Sequence, residues 1–188
     1  GACGPRFAWA GPIRVGFVAI DTTQERFAAL ETAPGACFVD LEEPRAGGAE
    51  WAHAVAQAQE EADVVMVGVH WGKNNRSRPA RVTRGFAHQL IGMGADAVLG
   101  SSAHRLQGVE IFQGKPILYD AGNLLFDSHL SGEAARSGVF NLTLTKTGVH
   151  RIELLPIEVG YGRVSVATGN LASRVLRRFR LPNHNGKT

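Results

Sequence analysis

Cysteine is scarce in this chain. Cys3 and Cys37 are the only two in 188 residues, 34 positions apart and outside any Cys-x-x-Cys or Cys/His cluster. That leaves no cysteine-rich metal site, and two reduced thiols are the expectation. Long apolar runs are missing as well. The longest, Val64 to Val69 with Gly68 inside it, falls far short of the ~18 to 20 residues that span a bilayer. The first ten residues lack a basic start followed by an apolar stretch, so neither an anchor nor an export signal is read here, and a cytoplasmic location is the default expectation. No P-loop, no GxGxxG after a strand, no GxSxG and no HExxH occurs, which removes the main support for nucleotide-dependent and serine-hydrolase chemistry. Acidic residues are absent between Asp63 and Asp96, while Lys73, Arg76, Arg78, Arg81 and Arg84 fall inside that interval. One local segment is therefore strongly cationic.

What is present describes a folded α/β domain. The chain is 44% hydrophobic and 20% charged, with a mean hydropathy of -0.07. At this length folding buries roughly 70% of the extended chain's surface, enough for a core without disulfides or a structural metal. One domain over residues 1–188 is expected. The net charge of +3 is too small to imply a nucleic-acid partner.

Arg14 to Ile20 reads as a buried strand, apolar on both faces and closed by Asp21 and Thr22, with Thr22 or Thr23 placed to cap a short helix. Cys37 to Val39 is a short apolar piece inside a loop. Trp51, Val55, Ala58 and Ala62 recur at helical spacing. Asp63 to Val69 is a second buried strand ending at His70. A polar loop then leads to Pro79 and a helix whose expected stripe is Val82, Phe86, Leu90 and Met93. Gly94 ends it, Ala95 to Leu99 forms a third strand, and Gly100 to His104 is the loop at its end. Short connections in the order β, α, β, α, β predict parallel strands covered by helices. The pattern then turns antiparallel: Gln107 to Phe112, Ile117 to Tyr119, Val139 to Leu144, and Val149 to Val159 after a Thr147-Gly148 turn. A last helix, Leu171 to Arg180, sets Leu171, Val175, Leu176 and Phe179 against a solvated face of Arg174, Arg177, Arg178 and Arg180.

Ligands of such sheets bind at the carboxyl ends of the strands. Asp21, His70, His104, Asp120 and Asn123 are the polar residues placed at those ends. A single strand-end histidine is ordinarily a hydrogen-bonded structural residue, but two on consecutive parallel strands bring both rings to one crevice, where imidazole serves as metal ligand or acid/base. The cations beginning at Lys73 lie in the loop leaving His70, and arginine suits carboxylate or phosphate. A solvated helix face covers Arg81 and Arg84 more easily than Arg76 and Arg78. His53, His88, His129, His150 and His184 are expected at the surface.

The tripeptide His70-Trp71-Gly72 and the run GADAVLGSSAHRLQGVEIFQGKPILYDAGNLLFD, residues 94–127, resemble the poly-gamma-glutamate capsule-synthesis (CapA) family. Its members carry HWG after a strand, then a GAD strand, a G-H-x-x-H loop, an IE-aromatic-x-G-(K/R)-P-I strand pair and a Y-x-x-G-(N/D)-F turn. The resemblance is densest over residues 63 to 127. It implies a calcineurin-like metallophosphoesterase architecture, an αββα sandwich with a metal pair at the strand ends. His70 and His104 take the places of metal ligands, and Asn123 lies in the adjacent turn. Two departures stand out. The first histidine of the G-H-x-x-H loop is Ser101 here, a poor ligand that puts a second metal in doubt. The family's N-terminal half has no counterpart, so the chain reads as a C-terminal portion with an exposed sheet edge, completed by further chain or by a partner.

The resulting expectation is a metal-dependent hydrolase of the phosphoesterase fold associated with poly-gamma-glutamate synthesis. His70, His104 and Asn123 are its catalytic residues. One or two divalent ions (Mn, Zn or Fe) are held by His70 and His104. Lys73, Arg76 and Arg78 bind an anionic small molecule, peptide or polyglutamate. Two alternatives remain open: a metal-dependent peptide epimerase, and a non-catalytic domain that binds a polyanion or a partner.

Overall fold

The computed structural model describes residues 1–42 and 48–179. Two sheets and three helices account for most of them. A mainly parallel sheet holds β1 (Arg6–Ala10), β2 (Ile13–Asp21), β3 (Val64–His70), β4 (Ala97–Ser101), β5 (Leu106–Phe112) and β6 (Lys115–Ala121), in the spatial order β1-β2-β3-β4-β6-β5. Strands β2, β3, β4 and β6 are parallel, and β1 and β5 are antiparallel edges. The second sheet is an antiparallel meander of β7 (Arg136–Thr145), β8 (Gly148–Gly160) and β9 (Arg163–Val166).

Helices α1 (Gly48–Glu61) and α2 (Arg81–Gly92) cover one face of the large sheet. Val18, Ile20, Val65, Val67, Val69, Val98, Ile117 and Tyr119 meet Trp51, Val55, Ala58, Phe86, Leu90 and Ile91 there in one buried cluster. Trp51 and Phe86 join the two helices edge to face, ring centres 5.2 Å apart. On the opposite face Ile13, Val15, Val64, Met66 and Ala97 pack against Leu142, Leu144 and Val149 of the second sheet. Parallel strands under helices followed by antiparallel strands is the architecture expected from the sequence.

Several details differ. β2 is not buried on both faces: Phe17 is 40% exposed and Ala19 is exposed, because the second sheet covers only the Ile13 and Val15 end of that face. No α-helix starts at Thr22 or Thr23. A single 3₁₀ turn at Glu25–Phe27 starts from Gln24 without a side-chain cap, because Asp21 instead binds the Thr23 and Gln24 amides. The stripe of α2 runs through Thr83 and Ala87, and Val82 is exposed. Leu176 likewise points to solvent, and α3 (Gly169–Phe179) is anchored by Val175 and by Arg178, which reaches Glu133 at 2.9 Å. His88 is half-buried, stacked on Phe112 at 3.8 Å and bonded to Glu110 at 3.0 Å. His53, His129 and His150 are exposed. Arg180 and His184 lie outside the described residues.

The cysteines are not reduced thiols. Cys3 and Cys37 form a disulfide, both buried in the same core cluster as Trp71 and Val69. Spacing along the chain concealed the pairing, which depends on a fold-back. Asp21 donates its N–H to the Cys37 carbonyl, and Val39 donates to the Asp21 carbonyl, each at 2.9 Å. The cross-link therefore ties the start of the chain to the segment bracketing the end of β2.

Candidate active site

Parallel register places three polar residues in one row. Asp21 pairs with His70, and His70 with Ser101, at the carboxyl ends of β2, β3 and β4. The Asp21 carboxylate accepts the Thr23 N–H at 2.5 Å, the Thr23 hydroxyl at 2.9 Å and the Gln24 N–H at 3.2 Å. Its other oxygen is 3.3 Å from His70 Nδ1. Burial works against its ionisation, but these donors and His70 together outweigh it and hold the carboxyl below the usual range.

The Trp71-Gly72 pair after His70 has a mechanical role. Trp71 is fully buried and donates its indole N–H to the Tyr119 carbonyl at 2.8 Å, fastening the end of β3 to β6 across β4. Gly72 takes φ +83, a conformation glycine adopts at little cost, and the chain turns there into the cationic loop. That loop is pinned twice: Asn75 donates its N–H to the Ala103 carbonyl at 2.8 Å, and buried Gln107 donates to the Arg76 carbonyl at 2.9 Å.

The loop 101–105 carries two left-handed residues, Ser102 at φ +112 and His104 at φ +56. Asp120, 1% exposed, holds it in shape by accepting the Ala103 N–H at 2.6 Å and, through its other oxygen, the Gly122 N–H at 2.7 Å. Burial raises the Asp120 carboxyl above its usual range, against the lowering effect of both amides and of His104 and His70. Both histidines therefore lie within electrostatic reach of one buried carboxyl.

His104 is held by Asn123. The Asn123 amide nitrogen donates to the carbonyls of Ala134 (2.9 Å) and His104 (3.3 Å), so its oxygen is the atom 2.7 Å from His104 Nδ1. An amide oxygen only accepts, which makes Nδ1 the protonated nitrogen of the neutral ring and leaves Nε2 as the basic one. The ring also packs edge-on to Phe126.

A cavity of about 650 Å³ opens next to this row, within the size range of small-molecule sites. Thr22, Thr23, Trp71, Gly72, Thr83 and Gln107 line it together with Lys73, Arg76 and Arg78; Asp40 and Glu42 form part of another wall. Lys73, Arg76 and Arg78 form no ion pair among the described residues. His70 and His104 are not in the lining; the wall begins at Trp71, the residue after His70, and includes Thr22 and Thr23 from the end of the neighbouring strand. The sequence reading named His70, His104, Asn123 and the three cations. It also set Asp21 and Asp120 at the ligand-binding strand ends without giving either a role, and it did not assign Thr23 or Gln107 to the site.

The resemblance implies a divalent metal, and a stable centre takes three or four protein donors. Among the described residues no group of three or more His, Cys, Asp or Glu is arranged to hold one. His70 and His104 supply two imidazoles and by themselves fall short of that donor set. No helix of the described residues is long and apolar enough to cross a membrane.

Comparison with known proteins agrees with this architecture. The family model described as "Bacterial capsule synthesis protein PGA_cap" matches residues 2–128. A probable polyglutamine synthesis accessory protein of Mycobacterium tuberculosis is 32% identical over 181 residues, covering 88% of this chain and 48% of the relative. The PGA biosynthesis protein CapA of Bacillus subtilis is 30% identical over 139 residues, covering 74% of this chain and 34% of that one. The chain thus spans about half, or less, of the length of these relatives. Among solved structures, the sulfate thiohydrolase SoxB of Thermus thermophilus superposes with a TM-score of 0.51 at 16% identity, covering 93% of this chain and 27% of SoxB. That likeness shows the calcineurin-like metallophosphoesterase fold.

Proposed function

Because the chain belongs to the bacterial capsule synthesis protein family PGA_cap, we propose that it forms the anion-binding part of a hydrolytic site used in poly-gamma-glutamate synthesis. The observation that carries this reading is the cavity beside His70, whose wall includes three cations that form no ion pair among the described residues. Guanidinium groups bind carboxylate and phosphate through charge-assisted, two-pronged hydrogen bonds. In this reading Lys73, Arg76 and Arg78 hold a phosphate ester or the carboxylates of a glutamyl chain. Nε2 of His70 accepts the proton of the attacking water, and His104 in its imidazolium form, its Nδ1–H held by Asn123, gives the Nε2 proton to the leaving group and is left as the neutral ring.

Metal dependence belongs to this proposal only with donors from outside the described residues, since two imidazoles do not complete a centre. The uncovered sheet face at Phe17 and Ala19 offers a place where further polypeptide, of the same or another chain, packs beside His70. The Cys3–Cys37 disulfide favours an oxidising compartment over the cytoplasm. A second reading, binding of a polyanion without turnover, is favoured by the short donor set among the described residues alone.

Isothermal titration with orthophosphate and with a γ-glutamyl oligopeptide tests the proposal. Binding that weakens about tenfold or more in Arg76→Ala and Arg78→Ala, the cost of one charge-assisted hydrogen bond, and stays unchanged in Arg177→Ala is expected. No binding, or equal binding by all variants, overturns it.

A further inference from the structure

We propose that Asp21 and Thr23 are positioning residues for His70: together they hold its ring with the proton on Nδ1 and present Nε2 as its basic nitrogen. The inference deepens the reading above, resting on it only for what Nε2 then does.

Donor and acceptor bookkeeping carries the argument. The Thr23 hydroxyl has one proton and sits 2.9 Å from Asp21 Oδ1, an oxygen that can only accept when the carboxyl is ionised. The proton is given there. The 3.1 Å contact between Thr23 Oγ1 and His70 Nδ1 must then be made by a hydrogen on Nδ1, donated to an oxygen lone pair. Asp21 Oδ2, 3.3 Å from the same nitrogen, is a second acceptor on that side. Were the proton on Nε2, the Nδ1 lone pair would face the carboxylate oxygen with nothing between them.

The backbone leaves these groups little freedom to rearrange. β2–β3 pairing sets Asp21 level with His70. Thr22 donates its N–H to the His70 carbonyl at 2.9 Å, and the Cys37–Val39 segment brackets Asp21 from the other side. A carboxylate behind an imidazole also makes the far nitrogen a better base or ligand. His104 reaches the same state through a different partner, the Asn123 oxygen, so both rings of the site offer Nε2.

Long-range ¹H–¹⁵N NMR of the uniformly labelled protein at neutral pH reads the tautomer directly, with the His70 signals assigned from His70→Gln. The expected pattern is a pyrrole-type Nδ1 and a pyridine-type Nε2. Thr23→Val, which keeps every backbone donor, shifts the population toward the Nε2-protonated ring, as does Asp21→Asn, while Thr23→Ser restores the original pattern. A wild-type ring protonated on Nε2, or a pattern unmoved by both Thr23→Val and Asp21→Asn, overturns the inference. Thermal unfolding of each variant identifies any that fails to fold, and Thr23→Val keeps the test decisive if Asp21→Asn does. An Nδ1-protonated ring in a protein that binds no orthophosphate supports the inference and sinks only the anion-site reading.

Discussion

Trp71 reaches over Gly100 to the carbonyl of Tyr119, so the indole of one strand end is bonded to the backbone two strands away. Position 100 must stay bare for this. A Cβ there would lie 2.2 Å from the Tyr119 oxygen and 2.5 Å from Trp71 Nε1. Overpacking of this kind costs about 1–3 kcal/mol, and at this chain length each kcal/mol moves the melting temperature by about 2–4 °C. Gly100→Ala is expected to lower the melting temperature and to release the indole proton to faster hydrogen exchange, both readable on one sample. Unchanged melting would show that the strand ends part easily.

Trp51 and Phe86 form the contact between α1 and α2, and both are buried. Truncating either to alanine is expected to cost about 3–5 kcal/mol. The coupling between them, read from a double-mutant cycle in urea, is expected at about 0.5–1.5 kcal/mol.

The two site carboxylates respond to pH in opposite directions. The folded pKa of Asp21 is depressed, so its ionised form contributes stability above the ordinary value of 3.8, and that contribution is lost as pH falls through the lower folded value. Asp120 is raised: its ionised form is disfavoured in the folded state, stability falls as pH rises from 3.8 through the folded value, and acidification restores it. Urea unfolding across a pH series should show a shallower acid-side loss in Asp21→Asn. In Asp120→Asn the loss on raising pH above 3.8 should shrink, beneath an overall drop from replacing one of two acceptors. Parallel curves for wild type and both variants would contradict these assignments.

Opening the Cys3–Cys37 link frees 34 residues of sequence separation. The chain-entropy account assigns such a loop about 3–4 kcal/mol. Cys3→Ser/Cys37→Ser is expected to unfold at lower denaturant than the oxidised protein and at the same point as wild type under reductant. A matching midpoint for all three would mean the thiols do not pair in solution.

The parallel core and both histidines were legible because each rests on local information. Val-rich runs ending in His70 and in the loop before His104 declare strands and their ends without reference to the rest of the molecule. What depends on non-local approach was not legible. β1 and β9 are short and have no strong period. The disulfide requires the Cys37 segment to fold back on Asp21, which spacing alone does not show. The exposure of Phe17 depends on how far the second sheet extends, and Val82 and Leu176 are apolar residues at helical spacing that lie just off the buried line. The cationic loop was legible as charge. Its pinning by Gln107 and Asn75, which makes it a wall of the cavity, was not.

The covalent link between Cys3 and Cys37 also fixes what a cut would do. The stretch from Thr22 to Ala36 is mostly exposed and holds only one short 3₁₀ turn and isolated bridges, which makes it the natural place for a protease to enter. Cleavage there would not separate the pieces. The fragment carrying β1 and β2 would stay joined to the remainder, and the nicked protein would migrate as two bands only after reduction.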